Sequence, residues 1–203
     1  MTVALSYKTS DGCYIVADKR VCQDASILTD GFTKVRAIGP LVIAIAGEIG
    51  AASRWLRAAE RESVETFDDL VDLCQGGDYG SSVYDASTHT LYQGDAAGAF
   101  IAVERLAAIG AGADYCRGFL EAAGVPAGQE AALLTTAVEH CARTNLSVSH
   151  ETDLSYVSRL ASATSRRRAK RPQRNDRPSR GEQHLSARRR VAPGTTARTS
   201  RRA

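Results

Sequence analysis

The chain has 203 residues, 43% of them hydrophobic, and a formal net charge of +3. That length suits one domain of ordinary size with an extension, and the apolar content is enough for a core. It contains no apolar run of about eighteen residues and no basic region leading into a long apolar stretch. Neither a membrane-crossing helix nor a secretory signal is therefore expected, and a cytoplasmic location is.

Residues 3–8 alternate weakly and read as a first strand. Thr9-Ser10-Asp11-Gly12 supplies a hairpin turn with a D-G step. Residues 13–18 are too apolar for a strand with one wet face, so a strand buried on both sides is expected. Residues 21–32 read as a loop holding a short strand at 26–29. Residues 34–38 and 41–46 form a second hairpin around Gly39-Pro40. Ala51, Ala52, Trp55, Leu56 and Ala59 repeat at helical spacing and predict a helix over 49–61. Thr66 can cap a second helix running to Cys74, which Gly76-Gly77 would end. Residues 80–85 and 90–92 read as a hairpin, and 100–103 and 106–109 as further strands. A helix follows over 113–123 and another over 127–143, with Ala131, Leu134, Val138 and Cys141 available to the core. Residues 153–157 read as a last strand.

The first chemical signal is Met1-Thr2. A small second residue lets the initiator Met be removed, which leaves Thr2 with a hydroxyl and a free α-amine. Such an amine has an unperturbed pKa of roughly 7.7–8.0, so it can take a proton from its own hydroxyl near neutral pH. A threonine activated by its own amine is a known nucleophile. Thr is also common at position two, and alone this decides nothing. Asp18 lies in Ala17-Asp18-Lys19-Arg20, Lys34 in Thr33-Lys34-Val35-Arg36, and Gly47 closes the apolar run Leu41-Val42-Ile43-Ala44-Ile45-Ala46.

These offsets resemble the proteasome β-subunit family of N-terminal-nucleophile hydrolases, and most of all its bacterial HslV branch. That family keeps an Asp and a Lys at these distances from its nucleophilic Thr, and an oxyanion-hole glycine where Gly47 stands. The resemblance implies an α+β fold, a four-layer αββα sandwich of two antiparallel sheets flanked by helices, over residues 1–160. It also implies a threonine endopeptidase whose subunits form a homo-oligomeric ring around a chamber, supplied with protein or peptide substrates by an ATP-dependent unfoldase. In that scheme Lys34 lowers the pKa of the Thr2 amine by charge repulsion, and Asp18 holds Lys34 charged and in place. The Gly47 N–H faces the developing oxyanion. The plainer readings are an ion pair at a strand end and a strand-to-helix turn.

Two departures from the family stand out. The helical section over 49–77 is short, which bears on subunit contacts. The segment Ala108-Ile109-Gly110-Ala111-Gly112 has Ala111 where the family keeps a serine that supports the nucleophile. The ending Glu139-His140-Cys141-Ala142-Arg143-Thr144-Asn145 resembles that of the corresponding HslV helix. By that resemblance, carbonyls around Cys141 and Thr144 could hold a monovalent cation such as sodium; no other cofactor is expected. The plainer reading is a helix end with Asn145 in a left-handed cap.

The five cysteines form no C-x-x-C pair and read as reduced thiols, with Cys13 a weak alternative nucleophile inside a strand. The four histidines are scattered without ligand spacing, so zinc is not expected. From residue 162 onward, fourteen Lys or Arg face two acids, so the tail carries +12 and the remainder −9. Residues 161–203 cannot bury enough apolar surface to offset ordering, and disorder is expected. A solvated extension, a phosphate-contacting arm for nucleic acid, and GC-rich coding sequence read out of frame all fit this composition. A catalytically silent ring subunit and a nucleic-acid-binding protein acting through the tail are therefore the rival functions.

Overall fold

The computed structural model describes residues 2–23, 26–74 and 76–160. The basic tail, with the disorder and nucleic-acid binding expected of it, lies outside them. Strand β1 (Val3–Lys8) turns through the D-G step into β2 (Gly12–Asp18). A short ribbon follows, β3 (Val21–Gln23) against β4 (Ser26–Thr29), and then the hairpin β5 (Val35–Ile38) and β6 (Leu41–Gly47). Helices α1 (Ile49–Arg61) and α2 (Phe67–Asp72) precede a meander of β7 (Tyr79–Asp85), β8 (Thr90–Asp95) and β9 (Phe100–Val103). Strand β10 (Leu106–Gly110), helices α3 (Ala113–Ala123) and α4 (Glu130–Thr144), and strand β11 (Thr152–Ser158) complete the order.

Two antiparallel sheets result, one ordered β10-β1-β2-β11 and the other β5-β6-β7-β8-β9. Strand periodicity assigns the layers. In β1, Val3, Leu5 and Tyr7 pack with Cys116, Leu120, Leu134 and Val138 of α3 and α4. Ala4, between them, faces the other way, with Ile15, Ala17, Val42, Ala44 and Ala46 in the layer between the sheets. In β6, Leu41, Ile43 and Ile45 face α1 and α2. Both sheets are thus covered by helices on the outside and by each other on the inside, the expected four-layer αββα sandwich. Six alanines, Ala4, Ala17, Ala44, Ala46, Ala86 and Ala107, share the inner layer with larger side chains such as Tyr84 and Leu91. The buried hydroxyls of Ser6 and Ser82 meet across it at 2.7 Å.

Several elements differ from expectation for local reasons. Val21–Gln23 forms a strand because β4 is there to pair with, a partner that three residues of sequence do not announce. Strand β8 runs on to Asp95 because Gly94 pairs with Phe100, whose ring covers the glycine. Helix α2 stops at Asp72, although the Thr66–Asp69 capping box forms as its spacing suggests. Helix α4 starts at Glu130 because Gly128 turns at φ +85° and donates to the Glu130 carboxylate at 2.8 Å. Asn145 is not left-handed. It is extended, at φ −126° and ψ 103°, and its carbonyl and side chain open the turn that leads to Ser149.

Trp55 is fully buried on α1, and its Nε1 donates to the Leu70 carbonyl at 3.1 Å, tying α1 to α2. Trp55→Ala removes that packing and the helix–helix link together. A loss of about 3–5 kcal/mol is expected, read as a lowered urea midpoint.

Candidate active site

Four strand ends meet at one end of the sandwich. The register of β1 on β2 pairs Ala4 with Ala17, which brings Thr2 and Val3 alongside Asp18. Lys34 heads β5 in the facing sheet, its carbonyl accepting from Ile45 N at 3.2 Å. Gly47 ends β6. Thr2, Asp18 and Lys34 are all buried, the last two completely.

The three side chains are in mutual contact. The Thr2 hydroxyl donates to Asp18 Oδ1, and Lys34 Nζ donates to the Thr2 hydroxyl. Lys34 Nζ also donates to Asp18 Oδ1 at 2.9 Å and to the Arg20 carbonyl at 2.6 Å. Those are three acceptors for the three hydrogens of an ammonium. Asp18 is held in turn by backbone donors: Val3 N at 2.8 Å on Oδ1, and Arg20 N at 3.0 Å and Ser149 N at 3.2 Å on Oδ2. Burial pushes the Lys34 pKa below the ordinary lysine value, and the adjacent Asp18 carboxylate opposes that shift.

Gly47 and Thr2 line one small hollow, together with Arg20, Val21, Cys22 and Ile49. Gly47 turns at φ +112°, and a Cβ there would lie 2.5 Å from the Asp78 carbonyl, so the tight entry to α1 needs glycine. Gly110 has a similar constraint. It pairs with Val3, has φ +90°, and a Cβ on it would strike the Thr2 carbonyl. The turn between β10 and α3 therefore rests directly on the Thr2 backbone. Ala111, next in that turn, is exposed and brings no hydroxyl to it.

The remaining candidates lie elsewhere. Cys141 is buried between α3, α4 and β1, and its carbonyl accepts from Asn145 N at 2.8 Å and from the Thr144 hydroxyl at 3.1 Å. A cation at Cys141 and Thr144 would have to share that carbonyl with both donors. Cys13 is buried between the sheets, where burial pushes its thiol up to about 12, so it is no nucleophile. Reading the sequence missed Arg20, Asp30, Ser149 and Gly110. Arg20 and Gly110 sit in segments that the motif already marks. Ser149 acts only through its backbone, for which no side-chain pattern exists.

No protein-family model and no curated protein matches the sequence. Among solved structures, the fold matches eukaryotic HslV from Trypanosoma brucei with a TM-score of 0.65 and 18% sequence identity. The match covers 77% of this chain and 99% of that one. The chain has an HslV-like, proteasome β-subunit fold.

Asp18→Ala strips the buried ammonium of its counter-charge and is expected to cost about 3–5 kcal/mol. Combining it with Lys34→Met removes both charges and should recover most of that loss in urea unfolding. Gly110→Ala forces a side chain into a left-handed turn against Thr2. It should cost roughly 1–3 kcal/mol in the same measurement.

Proposed function

We propose that this chain is a threonine-type endopeptidase subunit of a self-compartmentalising protease of the proteasome and HslV kind. The observation that carries the reading is the buried contact of Thr2 with Lys34 and Asp18 at the start of the chain. The HslV-like fold supports it, because it brings the strand ends together around that residue.

Removal of Met1 frees the Thr2 amine. The neutral amine takes the proton of the Thr2 hydroxyl as Oγ1 attacks the carbonyl carbon of a peptide bond. The carbonyl π electrons move to oxygen, and the Gly47 N–H stabilises the oxyanion formed. Collapse of this intermediate breaks the C–N bond, and the Thr2 ammonium gives its proton to the leaving amine. An ester on Oγ1 remains. Water, deprotonated by the same amine, hydrolyses it and restores the hydroxyl. The Lys34 ammonium lowers the amine pKa and stabilises the developing alkoxide it contacts. Asp18 holds that ammonium in place. No step draws on a bound cation.

A homo-oligomeric ring enclosing these sites, fed by an ATP-dependent unfoldase, belongs to the same proposal. The second reading is a silent ring subunit, favoured by Ala111 in the turn against Thr2 and by the short α1–α2 section. A role in binding nucleic acid is confined to the tail and predicts salt-sensitive binding that the body without the tail lacks.

The test is a peptide epoxyketone or vinyl sulfone, read by intact mass. The mature protein should lack Met1 and gain one adduct, which Thr2→Ala abolishes. Retention of Met1 excludes the amine mechanism, and an unmodified mature Thr2 favours the silent subunit. Because the amine must be neutral to act, the labelling rate should fall as pH drops. The repulsion from Lys34 places that acid limb below the ordinary α-amine range of roughly 7.7–8.0.

A further inference from the structure

Arg20 touches the site twice through its backbone and anchors itself elsewhere through its side chain. Its N–H donates to Asp18 Oδ2 at 3.0 Å, and its carbonyl accepts from Lys34 Nζ at 2.6 Å. One residue thus supplies a donor to the carboxylate and an acceptor to the ammonium. Its guanidinium points away from both. Nε and Nη2 pair with Asp30 at 2.7 and 3.0 Å, and Nη1 donates to the carbonyls of Leu146 and Val148 at 2.7 and 3.2 Å. The next amide in that loop, Ser149 N, reaches Asp18 Oδ2. The guanidinium therefore ties together two of the three segments whose peptide groups hold the buried pair, residues 18–20 and 146–149.

The Arg20 and Asp30 side chains are 16% and 38% exposed, and a partly solvated ion pair adds little stability. What a planar fork with four such contacts does fix is position. We propose that Arg20 is a positioning residue: its clamp on Asp30 and the 146–148 carbonyls holds its own carbonyl against Lys34, and thereby keeps Lys34 charged beside the nucleophile. The effect on reactivity rests on the Thr2 reading above; the effect on Lys34 does not.

The titratable groups that face Lys34 are Asp18 on β2, Cys22 on β3 and Asp30 beyond β4. This gives opposite signs for the two explanations of Arg20. If Arg20 acted only as a nearby positive charge, its removal would make Lys34 easier to protonate. If Arg20 acts by position, its removal frees the carbonyl that accepts from Nζ, and the buried ammonium becomes harder to keep.

The experiment compares the wild-type full chain with Arg20→Ala and Arg20→Lys. Lys34 is titrated by NMR of lysine-labelled protein, and Thr2 labelling by a peptide epoxyketone is followed against pH. In both variants Lys34 should titrate about one pH unit lower, the value of one charge-assisted hydrogen bond. With the positive charge held less firmly beside it, the Thr2 amine is harder to deprotonate. The acid limb of labelling should then move to higher pH, and the rate at neutral pH should fall. Arg20→Lys keeps the charge but not the fork, so it should resemble Arg20→Ala. An unchanged or raised Lys34 titration in the folded variants overturns the proposal, even if melting temperatures fall. Should Arg20→Ala fail to fold, Arg20→Lys decides. If wild-type Thr2 takes no label, the peptidase reading fails and the Lys34 titration alone decides this one.

Discussion

Everything at the Thr2 end of the sandwich depends on one buried ion pair. Lys34 and Asp18 are both fully excluded from solvent, 2.9 Å apart, with the Thr2 hydroxyl in contact with both. An ammonium and a carboxylate taken out of water are tolerated only when every hydrogen and lone pair is satisfied. The three hydrogens of Lys34 and the backbone donors on Asp18 meet that demand. The surrounding backbone is arranged to supply those partners: the start of β1, the turn after β2, and the loop after α4 each contribute a peptide group.

The fold makes this arrangement possible through the alanines of its inner layer. Lys34 comes from one sheet and Asp18 from the other, so their heads meet only if the sheets lie close together. Ala4, Ala17, Ala44, Ala46 and Ala107 line that layer and leave room for it. The outer faces carry their own packing, with Trp55, Leu41 and Ile43 beneath α1 and Leu5 and Leu134 beneath α3 and α4. Glycine serves the same end at Gly110, where β10 presses on Thr2 too closely for any side chain. Packing and chemistry are thus one constraint here, because a bulkier inner layer would separate the groups that must touch.

Much of this was legible in the sequence, and the parts that were not have a common cause. Helix α1 could be placed to its end residues because five buried positions repeat at helical spacing, and the D-G turn announced the β1–β2 hairpin. Thr2, Asp18, Lys34 and Gly47 were legible because their side chains, or the lack of one, identify them at fixed offsets. The β3 strand, the extension of β8 and the start of α4 were not, since each depends on pairing with a neighbouring strand or on one glycine's conformation. Asn145 read as a left-handed cap and is extended instead, because the chain must leave α4 toward Asp18 and deliver the Ser149 amide. Ser149 and the Arg20 carbonyl act through backbone atoms, which carry no residue signature at all.

The cost of the site itself separates the proposed active reading from the silent one. Ala111 removes one hydroxyl from the turn beside Thr2, and a silent scaffold would tolerate that change. A scaffold would also tolerate an apolar pair in place of Lys34 and Asp18. A buried ion pair is commonly no more stabilising than well-packed apolar residues of similar volume, and often less so. Here the pair needs a dedicated set of backbone donors and acceptors from three separate segments. Burial moreover works against the charge on Lys34, and the structure answers with Asp18 and the Arg20 carbonyl. Stability alone gives no reason to assemble these partners. A role that requires a positive charge beside a threonine hydroxyl does, and it requires the charge to be held in one place, which is what the converging peptide groups accomplish.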